Sequence, residues 1–174
     1  MRLHTSVGPS NTSISAVAQE AGVTRLTLYR HFPSSDDLFG ACMSHWRALH
    51  PPPDPAAWTQ IADLEPRLRR AISELYGWYA ANGEDLYPIY RDAAHTPASN
   101  RAARKASNDR MVDAVLLGIS VPGTNRRRLR AAVAHVLGFW TWRSFAVDGG
   151  LSLREAADLA TRFVMSVDAK PKVA

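Results

Sequence analysis

SISAVAQEAGVTRLTLYRHF, residues 13–32, sets two short helical patterns on either side of one glycine. In the first, Ile14, Val17, Ala18 and Ala21 recur at helical spacing, and Ser13 stands where an N-cap belongs. Gly22 supplies the left-handed residue that stops this helix, and Val23 is expected to follow it into the core. The next helix starts near Thr24 or Arg25 and buries Leu28 and Phe32, which share a face. At roughly 100° per residue, Leu26, Thr27 and Arg30 then point away from the core, with Arg25, Tyr29 and His31 at the flanks. The apolar residues are too few for a core helix.

Two short helices joined by a glycine turn, the second polar on its outer face, form a helix-turn-helix pattern. The second helix of such a unit enters the major groove, and its N-terminal residues meet base edges. Arg25 suits guanine, Thr27 can donate or accept, and an outward Leu26 suits a thymine methyl. Tyr29 and His31 suit phosphate oxygens, which position a protein without specifying sequence. The same spacing also fits a plain helical hairpin with a solvated face. Spacing alone leaves both readings open.

Composition narrows the class without choosing between them. A chain of 174 residues buries one sizeable core, or a small domain joined to a larger one. Its net charge of +5 is not concentrated on the first 50 residues, where Arg2, Arg25, Arg30 and Arg47 face Glu20, Asp36 and Asp37. The surplus lies in the Arg-rich runs further on, so bulk charge supports a polyanion partner only weakly. The single Cys42 excludes an intrachain disulfide and a Cys-based metal cluster. His45 and His50 do not share a helical face well, and no phosphate-cradling glycine loop or nucleophile elbow is present. No catalytic residue, metal site or cofactor is expected. No apolar run approaches the roughly 20 residues that cross a bilayer, and no signal-peptide pattern opens the chain. A soluble, cytoplasmic protein is expected.

Breakers organise the rest. VGPSN (7–11) is a turn, and HPPPDP (50–55) is a linker that cannot be helix. The periodicity is helical throughout, which predicts an all-α chain. It divides into a helix-turn-helix domain over 1–49, a proline-rich linker over 50–57 and a helical domain over 58–174. Leu68, Ile72, Leu75 and Tyr79 share one face of a long segment. The segment 84–94 is expected to be separate and interrupted by Pro88, and one helix is expected to run from 125 to 147. Ser152 and Glu155 form a capping box for the last helix.

The stretch TSISAVAQEAGVTRLTLYRHFPSSDDLF (12–39) resembles the signature of the tetracycline-repressor (TetR) family of bacterial transcription regulators. The resemblance rests on A-x-x-A-G-V, on T-L-Y-R-H-F and on the following F-P-S-x-x-x-L. It implies that Thr24, Arg25, Leu26 and Thr27 face bases or adjacent phosphates. It places Tyr29 and His31 on phosphates and Ser13 near the backbone. Two departures stand out. Ser35 occupies a position where the family usually has a phosphate-reaching lysine, which should flatten the log–log salt dependence by roughly 0.9. MRLHTSV (1–7) offers hardly two turns where the family has a full first helix, so either the sequence starts late or the domain is under-built. The well-patterned recognition helix favours a late start.

The helix from Leu129 onwards raises the question of a partner. Leu129, Val133, Val136 and Trp140 share one face, while Ala131, Gly138, Trp142 and Phe145 lie nearly opposite. A helix apolar on two faces needs cover on both sides. With Leu159, Phe163 and Val167 on the last helix, one face is expected to meet a second copy in a four-helix bundle. The alternative is a central helix buried wholly within the monomer. The resemblance implies the homodimer, with recognition helices about 34–36 Å apart or a multiple, on a palindromic operator. It also implies a pocket for a small-molecule effector. Trp78, Tyr87, Tyr90, Met111, Leu116, Phe139 and Trp142 could line it, with Arg91 or Arg143 supplying charge. Aromatics at helical spacing are ordinarily core, and no single residue here is an exception by itself. The function implied is a DNA-binding regulator, by family habit a repressor. The competing function is a dimeric helical ligand binder whose shortened N-terminal domain no longer binds DNA.

Overall fold

The computed structural model describes residues 2–121 and 123–168, and every regular element among them is helical. They group into two compact units. One takes the chain up to Pro52 together with Asn82–Lys105; the other takes Pro53–Ala81 and the residues from Ala106 onward. This grouping does not follow a cut at the prolines, because Asn82–Lys105 clusters with the N-terminal residues.

The first unit begins with α1 (Arg2–Ser6), α2 (Ile14–Glu20), α3 (Arg25–His31) and α4 (Ser35–Leu49). Ser13 caps α2 by accepting the Ala16 amide at 3.1 Å. Gly22 closes the helix at φ +66°, with its own amide on Gln19 O and that of Val23 on Ala18 O. This double bond satisfies carbonyls that the helix leaves open, and glycine takes the left-handed angle without a Cβ penalty. Val23, expected inside, is instead 39% exposed, because the turn carries it out past the end of α2. Ala18, Leu28 and Leu38 form the core of the motif, with Ile14, Val17, Phe32 and Cys42 packed on it. α1 adds His4, buried edge-on against Phe39 at 4.8 Å between ring centroids.

Pro88 misleads as a breaker. The segment expected to be separate continues the preceding helix, so α5 runs unbroken over Leu64–Arg91 with Pro88 inside it. Proline removes one N–H, but the Asp92 amide still reaches Pro88 O at 3.0 Å, and Leu86 and Ile89 are buried on either side. Burial of the flanking turns outweighs one lost hydrogen bond. Leu68, Ile72, Leu75 and Tyr79 all point inward as their spacing predicts. Trp58, fully buried in a 3-10 turn over Pro55–Gln60, donates to Glu74 at 2.7 Å.

α6 (Ala98–Leu116) starts in the first unit and ends in the second, where the buried Arg67 guanidinium gathers its last carbonyls. Arg67 donates to Val115 O at 3.0 Å and to Leu117 O at 2.5 Å, and also to Ile61 O and Ala62 O. A cation at a helix C-terminus answers both the dipole and the unpaired carbonyls.

The helix expected over 125–147 is three pieces: α7 (Gly123–Val136), α8 (Phe139–Trp142) and a π-helical turn over Arg143–Asp148. Gly138 breaks it at an extended backbone angle, and the Thr141 hydroxyl turns back to His135 O at 2.6 Å. α9 (Leu153–Asp168) packs on α7 and carries the predicted Ser152–Glu155 capping box. The hydrogen bonds from Ser152 hold the Glu155 carboxyl below its ordinary range.

Candidate nucleic-acid interface

α3 is a seven-residue helix whose facing is set at both ends. Thr24 caps it, accepting the Thr27 amide at 3.1 Å, and the two hydroxyls share a hydrogen bond of 2.9 Å. The helix stops where the Phe32 amide meets Leu28 O at 2.8 Å, ahead of Pro33. Between these ends Leu28 turns into the core and Phe32 is half-buried against it. The opposite edge stays open: Leu26 is 80% exposed and Tyr29 41%. Arg25, Arg30 and His31 are also exposed, and among the described residues Arg25 and Arg30 enter no ion pair. An exposed leucine flanked by unneutralised guanidinium groups is a poor surface for water and a good one for a thymine methyl between phosphates.

Some sequence-predicted contacts already have work inside the motif. The Thr24 and Ser13 hydroxyls each accept a backbone amide, so they offer DNA only their remaining hydrogen-bonding capacity. Thr27 is half-buried beside its partner Thr24. Arg2, the other cation near this end, is paired with Glu20.

The SSDD run is more ordered than its composition suggests. Ser34 and Asp37 form a capping box, the carboxylate accepting the Ser34 amide at 3.1 Å and its hydroxyl at 2.7 Å. The S-x-x-D spacing signals this cap in the sequence. Asp36 stays exposed. Ser13, Ser35 and Asp36 line one cleft of about 190 Å³ with His4 and His95, so the starts of α2 and α4 open on shared space. Burial holds the His4 imidazole down at about 4, neutral at physiological pH.

The residues expected around an effector fall in both units. Tyr87, Tyr90 and Arg91 belong to the first, and Trp78, Met111, Leu116, Phe139, Trp142 and Arg143 to the second. Within the second, Trp142 and Phe139 pack with Tyr79 at centroid distances of 5.3 to 5.7 Å. Tyr79 and Tyr76 donate to Leu137 O and Val136 O, the carbonyls beside the Gly138 break. Burial pushes the Tyr76 hydroxyl well above its usual range. The buried Trp142 Nε1 has no partner among the described residues. Arg143 pairs with Asp148 at 3.9 Å, and Arg91 is bound to Asp92.

The residues expected to meet a second copy also divide. Leu129, Val133 and Val136 are no more than 1% exposed, taken up by their own chain; for them the intrachain alternative holds. Trp140 does not share their face, because Gly138 resets the helical phase after Leu137. It is 49% exposed, as are Leu159 at 43% and Phe163 at 47%, while Val167 is half-buried. Ala131 and His135 are exposed as well, and the His135 ring lies 6.1 Å from that of Phe163.

Residues 1–42 match the family described as bacterial regulatory proteins, tetR family. No curated protein matches the sequence. Among solved structures, a TetR-like transcriptional regulator from Rhodococcus sp. RHA1 shares the fold at a TM-score of 0.56 and 20% identity, over 94% of this chain and 88% of that one. Among the described residues, no helix is long and apolar enough to cross a membrane. The helix-turn-helix over residues 14–31, with its outer edge exposed, thus lies within the stretch that matches the tetR family of bacterial regulatory proteins, and the chain shares the all-helical fold of a TetR-like regulator.

Proposed function

We propose that the protein is a cytoplasmic repressor that binds a palindromic operator as a homodimer and is released by a small-molecule effector. The observation that carries this reading is the orientation of α3, with Leu28 inward and the edge bearing Arg25, Leu26 and Tyr29 open. Arg25, Leu26 and Thr27 read bases, while Tyr29, His31 and the Ser13 and Thr24 end of each helix meet phosphates.

The partner copy is supported by the exposed Leu159 and Phe163, four residues apart on α9, by the His135 ring 6.1 Å from that of Phe163, and by the exposed Trp140. Large apolar side chains left exposed in this way suit an association site, and two-fold symmetry sets the same surface against itself. An effector is supported by Trp142. A buried N–H left unpaired costs about 1–3 kcal/mol, and a flat ligand with one acceptor would relieve it among Trp78, Phe139 and Trp142. Such a ligand acts by favouring one conformation of the dimer over another.

A gel shift with the DNA upstream of the protein's own gene tests the reading. A retarded band that the same unlabelled duplex competes away, and an unrelated duplex does not, is the expected result. A dimer that shifts neither this duplex nor any selected from a random pool would instead be a helical ligand-binding protein without DNA function.

A further inference from the structure

The turn that leads into α2 is gripped by the residue that ends α5. Asp92 is buried, and its Oδ2 accepts the Ser10 amide at 3.2 Å and the Ser10 hydroxyl at 2.5 Å. Arg91 holds the same carboxylate through Nε at 2.7 Å and Nη2 at 3.1 Å, and Nη2 also reaches Val7 O at 3.0 Å. Both guanidinium and serine keep the Asp92 carboxyl far below the usual carboxylate range.

Gly8 makes the fit possible. It sits at φ +93°, and a Cβ there would overlap Asp92 Oδ2 and lie 2.6 Å from Arg91 Nη2. Its carbonyl accepts the Asn11 amide and the Thr12 hydroxyl, so the grip passes directly to the residues before the Ser13 cap. Pro88 lies just before this grip and removes one hydrogen bond from the last full turn of α5. On the other side of Pro88, Asp85 accepts the indole N–H of Trp46 in α4 at 2.8 Å. The end of α5 is therefore tied to the motif twice, with a weakened turn between the ties.

We propose that Asp92 is a positioning residue for DNA recognition: by holding the Gly8–Ser10 turn it sets the orientation of the helix-turn-helix. Displacement of the C-terminal end of α5 reaches the recognition helix through this carboxylate. The proposal rests on the DNA-binding reading and adds the link through which binding is regulated. Asp92 acts through Ser10 and the turn, without touching DNA.

The test uses the full chain and two labelled duplexes, one selected from a random pool by the wild type and one of scrambled sequence. Asp92→Asn should weaken binding to the selected duplex about tenfold, equivalent to one decade in Kd, and leave the scrambled duplex within about twofold, because non-specific binding needs only phosphates. Ser10→Ala should act in the same direction, the double variant should be no worse than Asp92→Asn alone, and Ser10→Thr should restore binding. Equal losses on both duplexes, accompanied by a lowered unfolding midpoint, would reduce Asp92 to a structural residue. Unchanged affinity in Asp92→Asn and Ser10→Ala would overturn the link while leaving the DNA reading intact. A wild type that selects no duplex would remove both.

Discussion

α3 and α7 start from the same kind of pattern, an apolar stripe with a contrasting opposite edge, and they end in different states. In α3 the stripe goes into the motif and the other edge stays open. In α7 the stripe of Leu129, Val133 and Val136 is also taken up by its own chain, and of the residues expected to meet a second copy Trp140, Leu159 and Phe163 stay exposed. The difference lies in what bounds each helix. Thr24 and the Phe32–Pro33 stop confine α3 to two turns, over which facing cannot drift. The apolar pattern of α7 does not run on past Gly138, where the backbone turns extended and the phase is lost. Helical extrapolation holds only as far as the next break.

The sharpest way to break this comparison is to place the same charge on the two faces of the α7–α9 pair. Val133→Asp buries an unpaired carboxylate and should destabilise the second unit by about 3–5 kcal/mol, seen as a collapse of the denaturation midpoint. Phe163→Asp should leave that midpoint nearly unchanged and convert the proposed homodimer to monomer in sedimentation equilibrium. If Phe163→Asp unfolds the chain, or leaves its association state as it was, the open patch is not an interface.

On α3 the expected effects are smaller and more specific. Arg25→Ala should relax preference at one base position per half-site, worth about 1–3 kcal/mol there. Tyr29→Phe should weaken all duplexes alike. Selection from a randomised pool separates the two, and an unchanged base preference in Arg25→Ala would mean that the helix docks in another orientation.

The smallest effect concerns α1. The folded value of His4, about 4, lies below its ordinary 6.5, so the unfolded chain takes up the proton first as pH falls. Its contribution is complete above about pH 6.5 and is lost towards pH 4, with a slope of at most about 1.4 kcal/mol per pH unit. His4→Phe keeps a ring against Phe39 and removes the titration. Urea midpoints of the two proteins should therefore diverge between pH 6.5 and 4, and parallel curves would refute the role given to burial.

What could be read beforehand was local. Gly22 at the turn, Ser13 as a cap, the Ser152–Glu155 box and the inward Leu28 all depend on residues within one or two turns of each other. The Asp92 grip joins residues 82 positions apart, so no periodicity announces it. The same holds for Arg67, whose partners at the end of α6 lie 48 and 50 residues away. Pro88 looks like a break in the sequence because a proline's cost is local, whereas the burial that offsets it is not.

The chain by itself determined that it is helical and that a short polar-edged helix follows a glycine turn, since spacing and capping act through neighbouring residues. Only the tertiary structure decided which apolar faces are covered, which helices pass through a proline or stop at a glycine, and which carboxylate holds the entrance to the DNA-binding motif. Those outcomes turn on competition among distant surfaces for burial and hydrogen bonds, a competition that is settled only when the whole chain has packed.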